Sequence, residues 1–282
     1  MMLHRAARYT VVALLALPSL AGAQAFALNE IGSCALARGF AATASPCDDA
    51  SSIYWNPAAM PSRRGLSFYG GATAISLSGD FIQDTTGRTY TAEVPTAVVP
   101  HLFLNYRGAG RMAYGLGVYV PYGLTSQWGD DFPGRFAAKK ASLQSIYVQP
   151  NLSYQISDNW SVGGGPVFGH STVELIQALD ASSAIPILPK RTEFGRVRLK
   201  GSANAVGVDL GVHGKLSPEW EMGARFLTQL TFKYDDADAT FTRINTNFVF
   251  AGPCRECFPP APSSTTSSLR SSPPADRSWT RR

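Results

Sequence analysis

From residue 65 to about residue 250, apolar and polar residues alternate along the chain with period two. In 146–156 one face is Ile146, Val148, Pro150, Leu152, Tyr154 and Ile156, and the other is Tyr147, Gln149, Asn151, Ser153 and Gln155. The same alternation runs through 112–120, 206–212 and 220–234, the last with Trp220, Met222, Ala224 and Phe226 against Glu221, Gly223 and Arg225. Strict alternation of this kind predicts strands with one apolar face. Candidate strands are 65–78, 97–107, 111–120, 143–156, 160–174, 199–216, 219–234 and 239–251, about eight in all.

The apolar faces of these runs hold no ionised residue, whereas the opposite faces carry Asp209, Glu221, Arg225 and Lys233. A soluble sandwich also alternates, but its strands are typically about 5 to 6 residues long. Segments of roughly 10 residues, apolar outward and polar inward, with aromatics near their ends, are the pattern of an outer-membrane barrel. Trp160, Trp220, Tyr122 and Tyr234 stand at such ends, where an aromatic girdle is expected. Short turns at 108–110, 157–159 and 217–219 alternate with long connections at 121–142 and 175–198, as expected of tight periplasmic turns and extended external loops. The fold class is therefore all-β, a transmembrane antiparallel outer-membrane β-barrel.

The chain begins with Arg5 and Arg8, an apolar run 11–17 and the small-residue site Ala23-Gln24-Ala25, which is a signal-peptide pattern with cleavage expected after Ala25. That run falls short of the roughly 20 residues a membrane helix needs. Residues 26–60 follow neither strand nor long-helix periodicity and read as a plug inside the wall, giving the division 1–25 signal peptide, 26–60 plug, 61–252 wall and 253–282 tail. The tail holds six Pro, seven Ser and three Thr, a composition opposed to a closing barrel strand. A chain truncated or shifted out of frame near residue 252 is the expectation.

Charge removes one class of function. Arg5 and Arg8 stand in the leader, and in the tail Arg255, Arg270, Arg277, Arg281 and Arg282 outnumber Glu256 and Asp276 by three; together these account for the whole net charge of +5. The body is neutral, so no nucleic-acid footprint exists there. Cys34 and Cys47 lie in the plug, where an exported protein can form a disulfide. Cys254 and Cys257 make a lone CxxC, with no second ligand pair to suggest a metal.

The segments Asn29-Glu30, 36–40 (LARGF), Asp48-Asp49 and Asn56-Pro57-Ala58, followed by 120–124 (VPYGL), 132–136 (FPGRF) and 148–154 (VQPNLSY), resemble in that order the FadL/TodX family of outer-membrane channels. The resemblance implies a monomeric barrel of about 14 strands, of which about eight are supplied here, plugged by an N-terminal hatch. It implies passive uptake of long-chain fatty acids or other hydrocarbons, with outer-membrane lipid and lipopolysaccharide as surroundings and no cofactor. It further implies an internal pocket touching Phe26 and sideways release at a kinked third strand, 111–120, with Gly115 and Gly117 as kink candidates.

On the loop 124–136, Leu124, Trp128, Phe132 and Phe136 with Lys139 and Lys140 suit capture of an alkyl chain and its carboxylate, or else form a folded loop core. Asp48 and Asp49 read as structural hydrogen bonding in the plug. A lipase-like barrel enzyme is the competing class, and it requires a Ser and a His at one height, such as Ser153 and His101. A structural or non-functional barrel fragment is the third.

Overall fold

The computed structural model describes residues 27–180, 182 and 191–244, and the backbone of 267–270. The leader, Phe26 and the CxxC at Cys254 and Cys257 lie outside the described residues. An N-terminal segment carries α1 (Ser33–Ala37), α2 (Ser52–Trp55) and a 3-10 helix (Pro57–Ser62). The strand β1 (Gly65–Ile75) follows, and β2 (Asp80–Ile82) with β3 (Thr89–Thr91) forms a separate hairpin. Then come β4 (Ala97–Arg107), β5 (Met112–Gln127), β6 (Lys140–Gln155), β7 (Trp160–Asp180) and β8 (Glu193–Lys215). These pair antiparallel in the order β1, β4, β5, β6, β7, β8. The far edge of β8 is shared, by β9 (Glu221–Leu227) along 209–215 and by β10 (Asp238–Arg243) along 195–200. Outside β10 lies β11 (Ser267–Arg270), a proline-free stretch of the tail. Among the described residues β1 pairs only with β4, so the sheet is open. No helix among them is long and apolar enough to cross a membrane.

The alternation sets the faces. Leu102, Leu104, Tyr114, Leu116, Val148, Leu152, Val208 and Leu210 are exposed, while Asn105, Gln149, Asn151, Ser153, Ser161, Asp209 and His213 are buried. A soluble protein buries the first set and exposes the second; this sheet does the reverse, as a wall facing lipid must. At the short-turn end Tyr106 pairs with Tyr114 and Met112 with Tyr154, all exposed, beside exposed Trp160 and Trp220. That row is an aromatic belt. The upper parts of β6 to β8 run longer than the sequence pattern predicts, and there the charges pair off: Lys140 with Glu174 at 2.7 Å and Arg198 with Glu174 at 2.5 Å.

What fills the inner side is the N-terminal segment, of which residues 51–61 are all buried. The 3-10 helix packs across β4 to β8. Asn56 caps it by accepting from Ala58 N at 3.1 Å and donates to Val212 O of β8 at 3.0 Å and Thr43 O at 2.9 Å. Pro57 follows at the first helical position, where its missing N–H costs nothing. The carbonyl of Ala58 accepts from Ser153 and Ser161, at 3.4 and 2.6 Å, and that of Met60 from Asn105 at 3.0 Å. Such proximity needs a bare wall. A Cβ on Gly163 would stand 2.6 Å from Pro57 O, and one on Gly223 2.4 Å from Thr43 O. Cys34 and Cys47 are bonded, with Cα atoms 6.1 Å apart, tying α1 to the loop ahead of α2.

A second tie lies inside the wall. Asp209, fully buried, takes Arg225 Nε at 3.0 Å on each oxygen and Gln149 Nε2 at 2.6 Å, and Gln149 accepts in turn from the Tyr119 hydroxyl. The Arg225 guanidinium lies 5.0 Å over the Tyr54 ring of α2.

Two outcomes follow. Asn56→Ala removes a cap and leaves two carbonyls without a donor, at a cost of about 2 to 4 kcal/mol to docking of the segment; hydrogen exchange is expected to speed up in 27–62 and to stay slow in β6 to β8. Arg225→Met orphans a buried carboxylate and is expected to cost about 3–5 kcal/mol in denaturant unfolding, most of it regained in the Asp209→Leu/Arg225→Met double variant.

Candidate functional site

The site begins with a fault in β5. Its pairing with β6 is regular from Met112↔Tyr154 to Tyr119↔Tyr147 and resumes at Tyr122↔Ser145, with a shift between. Pro121 has no N–H for the ladder, and the extra residue reverses the phase of the strand. Tyr119 and Tyr122 consequently both face inward, three positions apart, which is why Tyr122 is not part of the outer girdle. At the same height β5 parts from β4. Their pairing ends at Leu102↔Val118; beyond it 97–101 stays with β1, while Tyr119 and 122–127 stay with β6. The gap holds a pocket of about 340 Å³ lined by Gly71, Pro100, His101, Val118 and Val120 among others. His101 stacks on Tyr69 with ring centres 5.6 Å apart, and a Cβ on Gly71 would meet its Nε2 at 2.7 Å. The N-terminal segment docks on the fault itself: Leu28 N donates to Pro121 O at 2.8 Å, and Ala27 bridges to Tyr122.

Inside the wall is a cavity of about 710 Å³, within the range of pockets that take small molecules. Tyr54, Tyr119, Tyr122 and Tyr147 line one side, and Leu227, Leu230 and Phe232 the other. The second side is a departure from the sequence reading. Instead of one strand through 219–234, β9 stops at Leu227, and 228–237 turns over the inner face, with Leu230 and Phe232 filling the space above Gly169 and Gly207. Tyr234 accordingly sits inside, its hydroxyl 2.7 Å from Ser171 Oγ, and is not a girdle residue either. Arg225 also lines the cavity, and its Nη2 has no hydrogen-bond partner among the described residues. Burial raises the pKa of Tyr54, with Arg225 offsetting part of the rise, so this phenol stays neutral and able to donate.

The predicted capture loop is folded on itself. Trp128 stacks on Phe132 at 4.3 Å, Phe132 is buried, and Phe81 and Tyr90 of the hairpin close over it at 5.4 and 6.0 Å. Phe136 lies under Arg135 at 4.5 Å. Lys139 pairs with Asp130, a bond that lowers the Asp130 pKa, and Lys140 pairs with Glu174. Of these residues only Leu124 stands beside the cavity, opposite the lining residue Leu143. Gly115 and Gly117 are not at the fault. A Cβ on Gly115 would lie 2.9 Å from Ile53 and Met60, and one on Gly117 3.1 Å from Phe103, so both make room for the N-terminal segment and its neighbours.

In that segment Asn29 is exposed and lines the cavity, and the Glu30 carbonyl accepts from Thr73 at 2.9 Å. Asp48 pairs with Arg63 at 3.2 Å, and Asp49 accepts from Ser51 N at 2.8 Å. Sequence reasoning passed over Tyr119, Arg225, Leu230 and Phe232 as cavity residues. The available signals were Pro121 within a strand and Leu227, an apolar residue on the otherwise polar face of 219–234.

Ser153 and His101, the pair named from the sequence for a lipase-like barrel, do not meet. Ser153 is in register with Ala113 and through it with Arg107, six residues along β4 from His101, roughly 20 Å at strand rise. Ser153 Oγ is spent on the Val162 carbonyl at 2.9 Å.

Comparison with known proteins agrees with this geometry. Residues 14–251 match the family described as outer membrane protein transport protein (OMPP1/FadL/TodX). A long-chain fatty acid transport protein of Escherichia coli O6:H1 is 24% identical over 230 residues, covering 74% of this chain and 51% of that protein. Outer membrane protein P1 of Haemophilus influenzae is 28% identical over 183 residues, 58% of this chain and 40% of that one. The chain thus spans about half the length of these relatives or less. Among solved structures, a Pseudomonas aeruginosa FadL homologue superposes with a TM-score of 0.54 at 21% identity, over 77% of this chain and 52% of that one. The P. putida toluene transporter TodX gives 0.57 at 16%, over 74% and 58%. At such identities these two establish the shared all-β antiparallel fold. The outward apolar faces and the family match place the protein in the outer membrane. This chain belongs to the OMPP1/FadL/TodX family of outer-membrane transport proteins.

Proposed function

We propose that the protein is a passive outer-membrane channel for hydrophobic compounds, long-chain fatty acids or other hydrocarbons, working as a monomer among outer-membrane lipid and lipopolysaccharide. The observation that carries this is a cavity of about 710 Å³, rich in tyrosine and with Leu143, Leu227, Leu230 and Phe232 in its lining beside Arg225, behind a gap in the wall. Ligand enters the cavity from the outside and leaves sideways through the gap between β4 and β5. Residues 26–60 act as the plug that denies it a straight axial route, and 61–252 supply wall. In lipid the open edges of β1 and β11 must be paired, so the conducting state is one in which the wall is closed.

Within this reading the loop residues Trp128, Phe132, Phe136, Lys139 and Lys140 build a rim, and binding falls to the cavity. The fatty acid transport protein of E. coli and the toluene transporter of P. putida bracket the ligand chemistry, one with a carboxylate head and one without. Arg225 decides between them. Its Nε is committed to Asp209 while Nη2, itself buried, has no hydrogen-bond partner among the described residues, and a charge-assisted hydrogen bond to a carboxylate contributes about 1.5–3 kcal/mol.

Expression in a strain lacking its own fatty-acid channel should restore growth on oleate. Leu143→Trp, which fills the cavity, should cut uptake at least about tenfold at equal protein in the outer membrane; undiminished uptake would remove the cavity from the route. The Asp209→Leu/Arg225→Met double variant should bind palmitate about ten- to a hundredfold more weakly while binding of toluene is kept, the factor corresponding to the loss of one charge-assisted hydrogen bond. Equal loss of both ligands would deny Arg225 the role of head-group partner.

A further inference from the structure

Tyr119 is common to the two spaces. It lines the interior cavity and also the pocket in the wall gap, and its side chain is 1% exposed. Tyr119 is therefore the residue at which the cavity meets the gap. Tyr54 meets it edge-on at 4.9 Å, and Phe103 and Tyr147 lie 5.9 Å away on their respective sides. Its hydroxyl donates to Gln149, a polar contact that fixes the ring's direction.

The backbone beneath the ring lies where both ladders of β5 are interrupted. On one flank the ladder to β4 ends at Val118, one residue earlier; on the other the register with β6 shifts immediately after Tyr119. Tyr119 is thus the last residue held by β6 before 120–121, which pair with neither neighbouring strand, and the end of a ladder is where a strand bends readily. The neighbouring wall pocket, about 340 Å³, offers the space into which a phenol ring can turn. Gln149 is not free to follow, because its amide is spent on Asp209 at 2.6 Å and on Asn151 at 3.4 Å.

We propose that Tyr119 is a swinging gate between the cavity and the wall gap, latched shut by its hydroxyl on Gln149, and that its opening sets the rate of sideways release. The proposal rests on the channel reading above and adds to it the moving part. It also assigns Gln149 and Asp209 a positioning role: they hold the latch acceptor still without touching the ligand.

The test uses the full chain refolded in bicelles, with 9,10-dibromostearate as the probe quenching tryptophan fluorescence. Equilibrium quenching tests the channel reading, and stopped-flow recovery on chasing with excess oleate tests the gate. Tyr119→Phe, which keeps the ring and removes the latch, is expected to raise the entry and exit rates together by three- to tenfold, so that the rates move more than their ratio. Tyr119→Ala should raise them further. Adding Val120→Trp, which fills the wall side, should cancel the acceleration. Binding with unaltered rates in both Tyr119 variants would overturn the gate and leave the channel standing; acceleration that survives Val120→Trp would also overturn it, since exit would then lie elsewhere. Absence of probe binding by the unmodified protein would overturn the channel reading and the gate with it. Heat-modifiable migration of each variant on a gel identifies any that fails to fold, and Tyr119→Phe alone, with its packing intact, then decides.

Discussion

The approach of one short stretch, Asn56 to Pro61, to the inner side of the sheet is the contact on which the remaining structure depends. A wall with an apolar outer face necessarily turns its polar residues inward, and polar groups there must find partners. The stretch supplies them as backbone carbonyls: Ala58 for Ser153 and Ser161, Met60 for Asn105, Pro61 for Arg107. Carbonyls can do this only if the chain comes within contact distance of the strands, and Gly163 and Gly223 permit that distance. Serines and glycines that look like weak strand formers are thus the positions where strand propensity yields to docking.

Once that stretch is seated, the wall cannot be uniform around it. Below, the pairing of β4 with β5 is regular and Gly115 and Gly117 lie flat under Ile53 and Met60. Above, where Ala27 and Leu28 reach the strand, the wall has a proline, a register shift and a gap. Cavity and gap therefore occupy the part of the inner face that the segment leaves uncovered. The chain 228–237 covers part of it from the other side, by leaving the sheet and laying Leu230 and Phe232 over glycines of β7 and β8.

Much of this was legible in the residues. Period-two alternation fixed which side of β4 to β9 meets lipid, because the rule is local and one phase error would have placed Asp209 or Gln149 in hydrocarbon. The resemblance at Asn56-Pro57-Ala58 pointed to the docking stretch, though not to its reason, which requires Val212 and Thr43 to be brought together by the fold. Tyr122 and Tyr234 were assigned to the girdle because alternation was carried across Pro121 and Thr228. A bulge shifts phase by one residue and a strand exit abolishes it, and neither changes composition. The lysines at 139 and 140 read as free cations for the same kind of reason: Asp130 is near in sequence, but Glu174 comes from another strand and is paired only by register.

Rigidity is distributed unevenly, and this bears on which part can move. Bonding Cys34 to Cys47, 13 residues apart, removes chain entropy on the order of 3 kcal/mol from the unlocked segment. Asn56 fixes the same segment to β8, and the Arg225 guanidinium over Tyr54 fixes it to β9. A segment fastened in this way is a poor candidate for the conformational change that the proposed sideways release requires. The wall beside Tyr119 has a ladder ending on one flank and a register shift on the other, so 120–121 are held by neither neighbouring strand. On the proposed reading, motion is therefore cheaper in the wall than in the N-terminal segment, and the cross-linked segment is the fixed surface against which the wall yields.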